Sequence, residues 1–307
     1  MSRSGSGSGS TEPASSGGGT SSGPAVLYVV ATPIGNLSDV TLRALEVLAG
    51  VPLIAAEDTR LSKRLLDRHG ISGRMTSYHA RSGPGRLASL LEHLRGGADL
   101  ALITDAGTPV VSDPGADLVQ AWAQEGGRVV PIPGASAVLA AVVASGVTGP
   151  RWSFEGFLPR SGRDRKERLD AIAADERGSV LFEAPGRVAA TLRDLQAACG
   201  AARVGAVCRE LTKLHEQIVR GPLVELAAAV GEGTIPARGE FVLVIGMRGE
   251  AAATPGEVTS TGDALAAALV QVETLVDAGT PRGEAAKRVA AATGLPRRQL
   301  YEVPEGS

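Results

Sequence analysis

Four short glycine- and proline-bounded segments occur in order, each at the end of an apolar run, and this constrains the fold more than any other feature. They are Thr32-Pro33-Ile34-Gly35-Asn36, Ala56-Glu57-Asp58-Thr59-Arg60, Thr104-Asp105-Ala106-Gly107-Thr108-Pro109 and Pro131-Ile132-Pro133-Gly134-Ala135-Ser136. The runs leading into them, Val26 to Val30, Leu53 to Ala56, Leu100 to Ile103 and Val129 to Ile132, have the length and composition of strands. The stretches between are long enough for crossover helices, so the chain reads as four strand–helix pairs in a mainly parallel α/β sheet. Polar groups and pliable backbone at the ends of adjacent strands are how such a sheet builds a cofactor crevice.

Helical stripes support this reading. Leu42, Leu45 and Leu48 recur after the first motif, and Leu118, Val119 and Trp122 after Pro114; Ala135 to Ala144 is small and apolar enough to pack as a buried helix against the sheet. Gly146 to Pro150 interrupts the periodicity and marks a boundary. Beyond it Trp152 to Phe157, Ser179 to Glu183, Arg203 to Arg209, His215 to Val219 and Phe241 to Met247 are strand-like, with helices over Arg163 to Ala174 and Arg187 to Cys199. The close spacing around 209–220 predicts an antiparallel hairpin. The expected organisation is a Gly/Ser tail over 1–24, an N-terminal α/β domain over 25–147, a mixed α/β domain over 148–249, a linker over 250–262 and a helical region over 263–307. Thr280-Pro281 reads as a helix start within the last of these.

Composition excludes several classes. Residues 1–24 hold nine Ser and seven Gly, too polar to repay ordering. Cys199 and Cys208 form no Cys-x-x-Cys pair, and His69, His79, His93 and His215 form no ligand pair, so neither a disulfide framework nor a metal site is indicated. No signal-type or membrane-length apolar run appears, and a soluble cytoplasmic protein is expected. The first strand is not followed by Gly-x-Gly-x-x-Gly, and there is no Walker-type loop, which disfavours dinucleotide and ATPase readings. Net charge is only −2, yet Arg60, Lys63, Arg64, Arg68, Arg74, Arg81, Arg86 and Arg95 face just Asp67 and Glu92 between 60 and 95. That excess suits either a phosphate backbone or a solvated helix face. Aromatic residues, at 3%, are too scarce for recognition mainly by base stacking. Five basic residues against Glu284 between Pro281 and Tyr301 suit an RNA-binding arm, a dimer brace or a stability cap.

With these motifs placed, the sequence resembles the tetrapyrrole methylase-like class of S-adenosylmethionine-dependent methyltransferases. Within it, Leu27 to Asn36, Ala55 to Arg60, Thr104 to Pro109, Asp113-Pro114-Gly115, Phe154 to Pro159, Arg209 to Lys213 and Arg238 to Phe241 are similar to the family of bacterial 16S ribosomal RNA cytidine-2'-O-methyltransferases. The likeness runs from about Val26 to Gly246. It implies a two-domain α/β fold with S-adenosylmethionine in the cleft between the domains, to which the helical region over 263–307 is a small appendage. It also implies a homodimer, and methylation of a cytidine ribose in the decoding region of the small-subunit RNA. A tetrapyrrole methyltransferase is the alternative reading, a noncatalytic ribosome-binding factor a weaker one.

The resemblance assigns the cofactor to Thr32, Pro33, Asp105, Gly107, Thr108, Pro109, Pro133, Gly134, Ala135 and Ser136. Gly134 and Ala135 would let it approach the backbone; a plain strand-ending turn and a helix cap at Ser136 are the structural readings of the same residues. Asp58 and Arg60 border the acceptor site by resemblance, Asp58 orienting the ribose and Arg60 holding phosphate, with a purely structural ion pair as the alternative. Glu210 and Lys213 join them as catalytic candidates, Lys213 as a base only if its pKa were strongly lowered. Where this family commonly has Tyr-Glu-Ser, the chain has Phe182-Glu183-Ala184, which removes two hydroxyls.

Overall fold

The computed structural model describes residues 25–249, 261–277, 279–293 and 295–301. The tail over 1–24 and the linker up to residue 260 lie outside them, and positions 261 and 262 already belong to a helix. Residues 25–249 fall in one compact unit and 261–301 in a second.

The first sheet holds β1 (Val26–Val30), β2 (Leu53–Ala56), β3 (Met75–Ser77), β4 (Leu100–Ile103) and β5 (Arg128–Ile132), all parallel, in the order β3-β2-β4-β1-β5. It thus has five strands where four were expected. β3 is three residues, Met-Thr-Ser, too short and polar to register as an apolar run, and pairs on one side only, with β2. Both faces are covered, so β2 and β4 are buried at every position. Leu27, Leu100 and Leu102 are fully buried in one core layer, with Leu90, Leu94, Leu118 and Trp122 from α3 (Pro84–Arg95) and α4 (Ala116–Gln124). The opposite layer receives Ala44 and Leu48 of α1 (Leu42–Gly50) and Leu66 of α2 (Thr59–Arg68). Leu42, expected on that stripe, is 79% exposed. Thr41, whose hydroxyl accepts from Ala44 N–H at 3.2 Å, caps α1 and sets its phase.

The second sheet orders β6 (Trp152–Phe157), β7 (Gly178–Glu183), β10 (Phe241–Ile245), β8 (Val204–Arg209) and β9 (Gln217–Pro222). Only β6 and β7 run parallel; β8 and β9 form the expected antiparallel hairpin. α6 (Gly162–Ala174), α7 (Val188–Cys199) and α8 (Leu223–Gly231) supply the core on one face. α5 (Ala137–Ser145) covers the other, with Val138 and Ala141 against Val180, Ala206, Val242 and Val244. The small apolar helix therefore packs on the second sheet, not on the sheet that precedes it. It is also less buried than expected, since Leu139 and Val143 are 55% and 83% exposed.

In the C-terminal unit α9 (Thr261–Asp277), α10 (Arg282–Thr293) and α11 (Arg297–Tyr301) share their own small core of Ala268, Val272, Ala285, Ala286, Val289 and Leu300. Two of its basic residues serve that unit: Arg282 pairs with Glu273, and Arg297 donates to the Gly283 carbonyl.

Candidate functional site

Because every strand of the first sheet is parallel, the four motif loops emerge at one edge, and the second sheet closes over them. Between them is a cavity of about 330 Å³, within the range of small-molecule sites. Gly107, Thr108, Asp113 and Ser136 line it from the first sheet, Phe182, Glu183, Gly239 and Glu240 from the second. Its wall is largely apolar, with few polar groups to fix orientation.

The loops around it are held in unusual backbone. Val110 and Ser112 have φ of 76° and 64°, Glu210 and Thr212 of 51° and 65°; these are all the non-glycine residues of positive φ among those described. A β-branched residue there is disfavoured by its own Cβ, so the surrounding contacts must impose it. Gly107, at φ 83°, meets this demand without strain. Its backbone exchanges hydrogen bonds with Thr32 (N to O, 2.8 and 3.0 Å), and a Cβ there would press on Ile34 at 3.3 Å.

Of the residues assigned to cofactor by resemblance, the structure brings Gly107, Thr108 and Ser136 to the cavity wall. Thr108 donates to the Ala135 carbonyl at 3.3 Å, and Ser136 caps α5 by accepting from Leu139 N–H at 3.4 Å. Thr32 is buried, its hydroxyl occupied by the Thr104 carbonyl at 3.0 Å, so it ties loops together. Pro33 and Pro109 are buried, Pro133 is exposed, and none of the three lines the cavity. Gly134 is not among the residues that line the cavity. A Cβ there would point at the Cβ of Ala31, 3.0 Å away, and not into the cavity, so the glycine permits close packing of two strand ends.

Asp105 accepts from Asp58 N–H at 2.9 Å, and Glu57 from Asp105 N–H at 3.4 Å, which gathers carboxylates at the ends of β2 and β4. Burial, and then Glu57 and Asp105 nearby, push Asp113 up to about 6. Glu57 is raised as well, chiefly by burial. Asp58 moves the other way, to about 2, because Arg60 donates to it from side chain and backbone. Their ion pair spans 2.7 Å with Arg60 89% exposed, so Asp58 is a fixed anion and helix cap, poorly suited to take a proton.

Glu210 and Lys213 form a clasp. Lys213 Nζ lies 2.9 Å from Glu210 Oε1 and 2.9 Å from Glu240 Oε2, and Glu210 also accepts from Glu240 N–H. Burial alone would lower the lysine, but these two carboxylates outweigh it and raise its pKa, the opposite of the lowering that a base role needs. Asn36 N–H donates to Thr212 Oγ1 at 3.3 Å, and Gly35 packs on the Lys213 stem, so this loop fastens one sheet to the other. Asp113 belongs to a motif, yet sequence reasoning gives it no role. Its only signal is a second Asp-x-Gly turn, Asp113-Pro114-Gly115, close behind Asp105-Ala106-Gly107, and what distinguishes it is partial burial beside Glu57 and Asp105.

Residues 26–227 match the model of the family described as Tetrapyrrole (Corrin/Porphyrin) Methylases. Among solved structures, a cobalt precorrin-4 methyltransferase covers 72% of this chain and 94% of its own at TM-score 0.57 and 19% identity. A uroporphyrin-III C-methyltransferase from Thermus thermophilus, complexed with S-adenyl homocysteine, covers 72% and 96% at TM-score 0.52 and 20% identity. Two α/β sheets closing on a cleft in this order are thus the fold of the tetrapyrrole methylases. Ribosomal RNA small subunit methyltransferase I of Synechocystis sp. is 45% identical over 278 residues, 91% of this chain and 96% of that protein. The Mesorhizobium japonicum protein of the same name is 43% identical, over 90% of each. The chain belongs to the tetrapyrrole methylases and, within them, to the ribosomal RNA small subunit methyltransferase I family.

Proposed function

We propose that this protein methylates the ribose 2'-hydroxyl of a cytidine in the decoding region of 16S ribosomal RNA, with S-adenosylmethionine as donor. The observation that carries the reading is identity of 45% maintained over 91% of this chain and 96% of a relative named for ribosomal RNA methylation, together with the interlobe cleft. The sulfonium supplies an electrophilic methyl group. Gly107, Thr108, Ser136, Gly239 and Phe241 form walls that would hold the cofactor, and the apolar lining suits its uncharged parts. An in-line displacement needs the acceptor oxygen about 3 Å from the methyl carbon, so positioning by the strained loops is a large part of the task. Of the carboxylates lining the cavity, Glu183 is paired with Arg187 and Glu240 with Lys213, which leaves Asp113, ionised near neutral pH, as the candidate to take the hydroxyl proton.

The protein acts as a cytoplasmic homodimer in this reading, and the exposed Leu139 and Val143 on α5 support a covered face. A tetrapyrrole substrate is the alternative, favoured only by the shared fold. Purified protein with labelled cofactor and small subunits from a strain lacking this modification tests the choice. Label in the RNA is the expected result. Its absence, or label on a porphyrinoid, overturns the proposal.

A further inference from the structure

A second cavity, open and of about 520 Å³, lies at the end of the edge strand β3 and is lined by Ser77, His79, Ser82, Gly83, Gly85 and Arg86. No carboxylate lines it, and its chemistry is that of an anion site. Arg86 is pinned by one hydrogen bond to Thr76 Oγ1 at 2.9 Å, a small part of the capacity of a five-donor guanidinium. His79 accepts the Arg81 N–H at Nδ1, which in the neutral ring leaves Nε2–H to donate. Ser82 Oγ accepts from His79 N–H at 2.9 Å and lies 3.5 Å from His79 Nδ1, to which its hydroxyl donates in this tautomer, so the donors left for a ligand are those of Arg86 and His79 Nε2–H. Gly83 and Gly85 leave the wall bare, since a Cβ at either would meet nothing within 4 Å.

The position of this cavity relates it to the cleft. Ser77 pairs in register with Ala56, so the β3 loop stands beside the Asp58–Arg60 turn, which stands beside Asp105 to Pro109 after β4. At about 4.8 Å per strand the second cavity is roughly 10 Å along the sheet edge from the cleft loops. Arg60, 89% exposed, lies between. From this row we infer that the cavity formed by His79, Ser82 and Arg86 binds a backbone phosphate of the RNA strand whose ribose enters the cleft. Arg60 serves as the step between the two. The inference rests on the proposed RNA substrate and adds the path of the strand across the first sheet.

Two variants of the full-length protein test it. Gly85→Glu places a carboxylate in the cavity where there is room for it, in the first turn of α3, where an acid is tolerated or mildly stabilising. Arg86→Gln removes the cation. Affinity for unmodified small subunits is measured across a salt series, with the melting temperature and cofactor affinity read on the same preparations. The expected result is about a tenfold loss of subunit affinity for either variant, with cofactor affinity unchanged. For Arg86→Gln the log–log salt slope falls by about 0.7, one phosphate contact on a single strand. Should Arg86→Gln fail to fold, Gly85→Glu decides alone. Unchanged affinity in a folded Gly85→Glu protein overturns the inference while leaving the methylation reading intact. If wild-type protein binds the subunit but labels no RNA, the methylation reading fails alone; if it does not bind, both fail.

Discussion

Lys213 Nζ and Glu210 Oε1 lie 2.9 Å apart in a loop where Glu210 holds a left-handed backbone that its side chain disfavours. The pair braces the loop through which the second sheet meets the Gly35 loop of the first. Replacing Lys213 with methionine keeps the stem and leaves Glu210 without its cation, a loss of about 1–2 kcal/mol for a partly buried pair. Hydrogen bonds from Glu240 N–H and Lys213 hold Glu210 below its ordinary pKa against the opposing effect of burial. A depressed carboxylate stabilises above its unfolded pKa and loses that contribution as pH falls through the folded value. The deficit of Lys213→Met in thermal melts should therefore be largest at neutral pH and shrink in acid. A constant deficit would show that the ion pair is not its source.

Asp113 predicts a pH effect of opposite sign. Its folded pKa of about 6 lies above the unfolded value, so the group stabilises most at low pH and loses that contribution as pH rises through 6. Asp113→Asn should melt higher than wild type at pH 8 and show no such gain at pH 4. In activity the order reverses: wild-type turnover rises with pH through about 6 as the carboxylate ionises. The asparagine variant should turn over roughly 10²-fold slower or worse, with that limb gone. Turnover that is unaltered in the variant removes Asp113 from proton transfer.

Four strands of the first sheet were legible because β2 and β4 are buried on both faces, and these two with β1 and most of β5 read as apolar runs, each ending in a turn that Gly, Pro or Asp serves well. β3 was missed because Met75-Thr76-Ser77 has neither the length nor the apolarity of a strand, and α8 because Leu223 to Gly231 follows β9 without a gap. The site was half legible. The family resemblance pointed to Gly107, Thr108 and Ser136, which line the cavity, but direction was out of reach: nothing in Pro133-Gly134-Ala135 tells that the missing Cβ faces Ala31. Nor does the sequence around Lys213 reveal that Glu240, far along the chain, supplies its second carboxylate.

That direction alters what Gly134 substitutions should do. Alanine there puts a methyl 3.0 Å from Ala31 Cβ, a contact relieved by a shift of a few tenths of an ångström, whereas valine adds two further carbons. Overpacking of this kind costs about 1–3 kcal/mol. Gly134→Ala should melt slightly below wild type and bind cofactor normally in titration calorimetry. Gly134→Val should lose melting temperature and cofactor affinity together. Selective loss of cofactor affinity, with melting unchanged in either variant, would contradict the packing role and restore the glycine to the cavity.

Arg60 separates binding of cofactor from binding of acceptor. Its guanidinium is almost fully exposed, pairs with Asp58, and stands between the cleft loops and the β3 cavity. Because Asp58 also accepts from the Arg60 main-chain N–H at 2.8 Å, the cap on α2 survives removal of the arginine side chain. Arg60→Ala should therefore melt like wild type and bind S-adenosylmethionine unchanged. Without its guanidinium to hold a phosphate on the acceptor side, the variant should show a raised KM for small subunits and a shallower salt dependence, with kcat at saturating subunit little altered. Asp58→Asn tests the other half of the pair. It weakens the hold on Arg60 but keeps a side-chain oxygen for the cap, so its effect on KM should be smaller than that of Arg60→Ala. Equal losses of melting temperature and of both affinities in the two variants would instead mean that the ion pair is structural.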